Sequence, residues 1–164
     1  MSRHVFYSLH YDEDRSRVAP LLGPGSRALQ GQVEAPVADW AKLKRSGPFA
    51  ITRWLDQQLK GRSCAVVFIG NQTASRPLIH TEIKRSWELG LSLLGVYVHH
   101  LKDAQGRQTT QGENPFLHPA SGLGDLGASI PVFDPPETDS KLAYRYIADN
   151  LPQWAEQGVA RPAV

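Results

Sequence analysis

Cysteine is almost missing from this chain of 164 residues: Cys64 stands alone. That excludes a disulfide framework and any site built on several thiolates. Long hydrophobic runs are missing too. No segment approaches the roughly 18 consecutive apolar residues of a membrane helix, and Met1-Ser2-Arg3-His4 does not read as a secretory leader. Nor does one sign of charge dominate. Eighteen Lys and Arg face 16 Asp and Glu, for a formal net charge of +2. The signs are mixed along the chain, so no polybasic arm marks a nucleic-acid or membrane partner. No G-x-x-x-x-G-K-[ST] occurs, which excludes a P-loop. Repeats and low-complexity tracts are absent. What remains is ordinary globular chemistry, 41% hydrophobic and 21% charged, at a length that suits one domain. The expectation is a single soluble, cytoplasmic domain over 1–164.

The apolar pattern gives the fold class. His4 to Leu9, Cys64 to Ile69 and Leu93 to Val98 are short runs with little alternation, as in strands covered on both faces. Ile130-Pro131-Val132-Phe133 contains a proline and reads as an edge strand. Helical spacing fills the gaps. Ile51, Leu55 and Leu59 recur at i, i+4, i+8, with Gly61 as a stop. Ser75-Arg76-Pro77 reads as an N-cap and first turn of a helix running to about Gly90. Asp12-Glu13-Asp14 starts a short first helix. Thr138-Asp139 caps a last one, limited by Pro152. Strands alternating with helices predict an α/β fold with a parallel sheet. Leu22 to Trp40 reads as irregular, with a strand hidden near Gln32-Val33. Residues 101–127 read as a long irregular insertion.

In such a sheet, ligands gather beyond the carboxyl ends of the strands. Three polar turns meet there: Ser8 to Asp12, Gly70 to Ser75, and His99-His100 with the insertion. Glu82 stands out beside them. At 100° per residue it lies about 80° from the centre of its helix's apolar face, where a carboxyl can have an apolar wall on one side and the cleft on the other. A solvated flank glutamate paired with Lys84 or Arg85 is the plain alternative. His99 and His100, as strand neighbours, point to opposite faces and cannot share a metal. With no H-x-x-x-H either, no metal is expected.

Four segments carry a family likeness. Val5-Phe6-Tyr7-Ser8-Leu9-His10-Tyr11-Asp12-Glu13-Asp14-Arg15 resembles the first strand and following loop of TIR domains, in particular the bacterial TIR-like family of Thoeris antiphage defence proteins. Ser75-Arg76-Pro77-Leu78-Ile79-His80-Thr81-Glu82 is similar to the family's Ser-x-x-Trp-Cys-x-x-Glu, with serine and glutamate in register and Leu78 and Ile79 at the Trp and Cys positions. Leu94 to Asp103 and Gly112 to Phe116 resemble the Thoeris subgroup. The likeness covers roughly 4–150. It implies a flavodoxin-like three-layer sandwich around a five-stranded parallel sheet of order 2-1-3-4-5. It further implies an NAD glycohydrolase or ADP-ribosyl cyclase, with Glu82 as catalytic glutamate. Ser8, His10, Tyr11 and Asp12 would line the nucleotide pocket, with Asn71, Thr73 and Ser75 opposite. NAD would be substrate, with no bound cofactor. A homo-oligomer would assemble, and a separate effector would read a cyclic or modified ADP-ribose signal. The alternatives are a non-catalytic TIR scaffold acting by protein contacts and a phosphate-accepting receiver-like domain. The latter needs an acidic cluster, of which Asp12, Glu13 and Asp14 supply only part.

Overall fold

A computed structural model describes residues 4–22 and 37–162, with 37–41 as backbone alone. Its elements are β1 (Val5–Ser8), α1 (Tyr11–Leu22), α2 (Val37–Ser46), α3 (Pro48–Leu59), β2 (Cys64–Ile69), α4 (Pro77–Glu88), β3 (Ser92–Tyr97), β4 (Val132–Phe133) and α5 (Ser140–Glu156). All strand pairs are parallel, in the order β1-β2-β3-β4. The described sheet thus has four strands, not the expected five. The strand expected near Gln32-Val33 lies outside the described residues. The fold is α/β with a parallel sheet, consistent with a TIR-like fold.

Residues successive along a strand face opposite layers, and both layers are apolar. Val5, Tyr7, Val66, Phe68, Leu94 and Val96 pack against α1 and α5 through Val18, Leu21, Ile147, Leu151 and Trp154. Phe6, Ala65, Val67, Ile69 and Leu93 pack against α3 and α4 through Leu55, Leu59, Ile79, Ile83 and Trp87. This two-sided cover is why β2 reads CAVVFI, buried at every position, rather than alternating.

Four local expectations need correction. The stretch read as irregular up to Trp40 contains the start of α2, which runs to Ser46. Pro152 does not end α5 but sits inside it, because Leu151, Trp154 and Ala155 are buried around it and their packing outweighs the missing N–H. Asp139 does cap α5, accepting from the Leu142 N–H at 3.0 Å. Ser75 does not cap α4. Its hydroxyl donates to the Gln72 carbonyl at 2.8 Å, and Arg76 holds the N-cap position without a side-chain cap.

The fourth concerns 101–127, which is built rather than irregular. Short 3-10 helices at Pro115–Leu117, Pro119–Ser121 and Gly124–Ser129 fold over α4, and Phe116 is fully buried among α4-side core residues. Gly127 permits this. A Cβ there would lie 2.0 Å from the Phe116 carbonyl oxygen, closer than backbone can yield without shifting. Gly127→Ala is therefore expected to lower unfolding free energy by about 1–3 kcal/mol. Leu126→Ala, at an exposed neighbour, should change it by no more than about 0.5 kcal/mol. Urea denaturation of the two variants checks this.

Candidate active site

Glu82 is only 6% exposed, on the flank of α4 that faces the end of β1. The plain alternative for it fails on geometry. Arg85 is engaged elsewhere, with Asp56 at 2.5 Å and Glu88 at 3.2 Å. The polar group beside the Glu82 carboxyl is instead the Ser8 hydroxyl, 2% exposed at the last position of β1. Burial pushes the carboxyl up to about 8, and Ser8 opposes the rise only in part. Desolvation disfavours the charged form more than one hydroxyl favours it.

Leu9, His10, Tyr11 and Asp12 line a cavity of about 180 Å³, closed on its other side by Arg76, Pro77, Leu78 and Ile79 of the α4 entry and by Lys44 of α2. Ser8 and Glu82 are not on its wall, but their neighbours Leu9 and Leu78 are. His10 Nδ1 lies 3.4 Å from a Glu13 carboxylate oxygen. Burial first, then the Arg76 charge, lowers the affinity of its imidazole for a proton. Asp12 is exposed and 3.8 Å from Lys44 Nζ.

The other three expected residues are placed differently. Asn71 donates its side-chain N–H to the Thr110 hydroxyl of the insertion. Thr73 is completely buried and accepts the Gly70 N–H at 2.8 Å. Ser75 belongs to a second cavity, of about 460 Å³ on the opposite flank of α4, with His80, Lys84 and His118. The structure therefore brings Ser8 to Glu82, gathers His10, Tyr11 and Asp12 around the small cavity, and puts Asn71, Thr73 and Ser75 on neither wall. His99 and His100 depart from the alternation argument. β3 ends at Tyr97, so the pair lies beyond the strand, and the rings approach to 4.0 Å between centroids. Among the described residues no group of three His, Cys, Asp or Glu side chains is placed to hold a metal ion.

Sequence reasoning missed the feature that holds these turns together. Asp14 is completely buried, and one carboxylate oxygen accepts from Arg17 Nη1 at 3.0 Å. Burial raises this carboxyl to about 6, outweighing the Arg17 charge. Arg17 in turn donates to the Leu101 carbonyl at 3.0 Å and to the Arg107 carbonyl at 3.4 Å. Gly70 covers the pair so closely that a Cβ on it would lie 2.2 Å from the Asp14 carboxylate. Gly112 packs in the same way on the Gly70 carbonyl, at 2.2 Å. The signal available in sequence was the i, i+3 spacing of an aspartate and an arginine in a first helix opened by Asp12-Glu13-Asp14.

Gly70→Ala should therefore displace Asp14 and loosen the insertion it anchors. Native-state hydrogen exchange is expected to accelerate at the Thr109 amide, which is bonded to the His99 carbonyl at 2.9 Å, by roughly tenfold or more. The Val66 and Val67 amides should change far less.

Two comparisons bear on this arrangement. The family described as "Thoeris protein ThsB, TIR-like domain" matches residues 6–103, a stretch that contains most of β1, the Asp14–Arg17 pair, Glu82 and β3. A curated protein of Bacillus cereus (strain MSX-D12), named "Putative cyclic ADP-D-ribose synthase ThsB1", is 29% identical over 119 residues. The aligned region covers 71% of this chain and 62% of that relative. The matched stretch is more than half of the sequence, and on that ground the chain belongs to the TIR-like domain family of the Thoeris protein ThsB.

Proposed function

We propose that the protein cleaves the bond between nicotinamide and ribose in NAD and releases a cyclic or modified ADP-ribose as a defence signal, with Glu82 as the catalytic carboxyl. The observation that carries the reading is the desolvated Glu82 side chain beside Ser8 at the carboxyl end of β1. The name of the Bacillus cereus relative points to the same chemistry for that protein.

Nicotinamide in NAD is already a cationic leaving group, so departure needs no general acid. The C1′–N bond breaks, its electron pair neutralises the ring nitrogen, and the ribose becomes an oxocarbenium ion. A carboxylate in a dry site stabilises that cation far more than one in water does. Water then attacks C1′ to give ADP-ribose, or a hydroxyl or base nitrogen of the same molecule attacks to give a ring. The attacking group's proton leaves to the carboxylate or to solvent. With its carboxyl near 8, the free protein holds Glu82 protonated at neutral pH, and the positive charge of the substrate favours the ionised form. The 180 Å³ cavity has room for a ring of nicotinamide size but not for a dinucleotide. The remainder of the substrate would lie across the rim formed by His10, Asp12 and Arg76. Access to Glu82, one helical turn beyond Leu78, would require the Leu9–Leu78 wall to part.

Nicotinamide release from NAD by the purified chain, beside Glu82→Gln, tests this. The variant should lose activity by about 10²–10³-fold with its fold intact. Equal rates, or no release by the wild type in any state of assembly, would overturn the enzymatic reading. Intact Thoeris output with Glu82→Gln would favour a scaffold instead. The working form is the carboxylate, so kcat/KM should climb with pH and level off above about 8.

The same titration has a stability signature. Glu82 binds its proton more tightly folded than unfolded, so its burial weighs least at acid pH and most once pH has risen through about 8. The sign is opposite to that of a salt-bridged carboxylate. Glu82→Gln is thus expected to melt close to the wild type at pH 5 and several degrees above it at pH 8.5, on the order of 2–4 °C per kcal/mol for a chain of this size. Thermal melts at the two pH values decide it.

A further inference from the structure

On the other side of the sheet, α1 and α5 leave between them a groove of about 690 Å³ that the Glu82 chemistry does not use. Its α5 wall is one helical stripe: Lys141, Tyr144, Arg145, Ala148 and Asp149 recur at i, i+3, i+4, i+7 and i+8. Leu101 and the Arg17 guanidinium form its floor, and Lys102 joins the rim. Tyr144 spans the groove, its hydroxyl donating to the Pro20 carbonyl of α1 at 2.8 Å, so its ring is held in place.

The charge of this groove is unbalanced. Arg17 is fully engaged with Asp14, Asp103 and backbone carbonyls. Lys102, Lys141 and Arg145 are exposed, and among the described residues none of their side chains has a salt bridge or hydrogen bond. Among the described residues Asp149, at the far end, is the one carboxylate on the wall, and Asp103 lies 3.7 Å from the Arg17 guanidinium of the floor. Lys141 and Arg145 are like charges at i, i+4, an arrangement that works against the helix. Arg145 and Asp149 are opposite charges at the same spacing, which supports the helix, so the excess positive charge of the groove rests chiefly on Lys102 and Lys141, an arrangement that favours an anionic ligand.

We propose that the α1–α5 groove binds a nucleoside diphosphate. Lys102, Lys141 and Arg145 hold the phosphates, and the base lies against the fixed Tyr144 ring and the Leu101–Ala148 floor. The volume falls within the range of small-molecule sites, about 300–1,000 Å³. The two cations one helical turn apart match a pair of adjoining phosphates, and an aromatic wall beside them favours a ligand with a flat ring over an extended acidic peptide. The site is separate from Glu82 and does not depend on the NAD reading.

The test is ADP titration into the ¹⁵N-labelled full chain, read by amide chemical shifts, with Glu82→Gln, K141E/R145E and Asp149→Asn in parallel. Lys102 and residues 140–149 are expected to shift saturably in the wild type and equally in Glu82→Gln. Charge reversal at the two exposed positions should weaken the response roughly tenfold or more, as should raising salt from low to physiological strength. Asp149→Asn should tighten it a few-fold. Shifts confined to His10–Asp12 and Arg76–Ile79, a response that survives K141E/R145E, or the same shifts produced by protein concentration alone would each overturn the proposal. Equal shifts from a short polyglutamate would overturn it as well.

Discussion

Arg17 cannot leave its place without uncovering the Asp14 carboxylate, and three chain segments would go with it. Its guanidinium meets α1 through Asp14 and reaches the turn after β3 through Leu101 and Arg107. Gly70, at the end of β2, lies directly on the same carboxylate. A buried ion pair of this sort is weak evidence for stability, because desolvation offsets most of the attraction. Its value is geometric. Removing Arg17 leaves the Asp14 carboxylate buried without its cation at the point where the loops of β1, β2 and β3 converge.

That fixed edge gives Glu82 its chemistry. A carboxylate on an exposed helix flank would be dispersed in water and would stabilise little. Here Ile79, Ile83 and Trp87 seal one side of α4 into the core, while the end of β1 closes the other. The carboxyl ends with a single hydroxyl for company and a strong preference for its proton. A group held this way is poised to respond to an arriving positive charge, the property that the proposed cleavage requires.

Much of the fold could be read from residue order. Continuous apolar runs located β1, β2 and β3 to within a residue or two, because strands covered on both faces leave few polar positions within them. The Asp139 cap and the Pro77 first turn located α5 and α4 for equally local reasons. What escaped depended on distant partners. Pro152 is tolerated inside α5 because of packing that only the folded chain supplies. The 101–127 insertion is ordered by Phe116 reaching the core and by two glycines pressed against backbone, neither of which has a periodic signature. For the candidate site, the helical angle placed Glu82 on the correct flank but understated its burial, since Ser8 approaches from 74 residues away. Thr73 and Asn71 were legible as polar turn residues, yet not as groups consumed by Gly70 and Thr110.

The far side of β3 is shared by two stretches of chain that never meet in sequence. β4 pairs with it only at Gly95 and Val96, and lower down Leu93 exchanges both backbone bonds with Val159, running antiparallel, at 2.9 and 3.1 Å. A row of donors and acceptors that would invite another molecule's strand is thus taken up half by a two-residue parallel segment and half by a reversed one. No single straight strand can continue both patterns at once. The reversal after α5 therefore works as a stopper along the outer edge of β3.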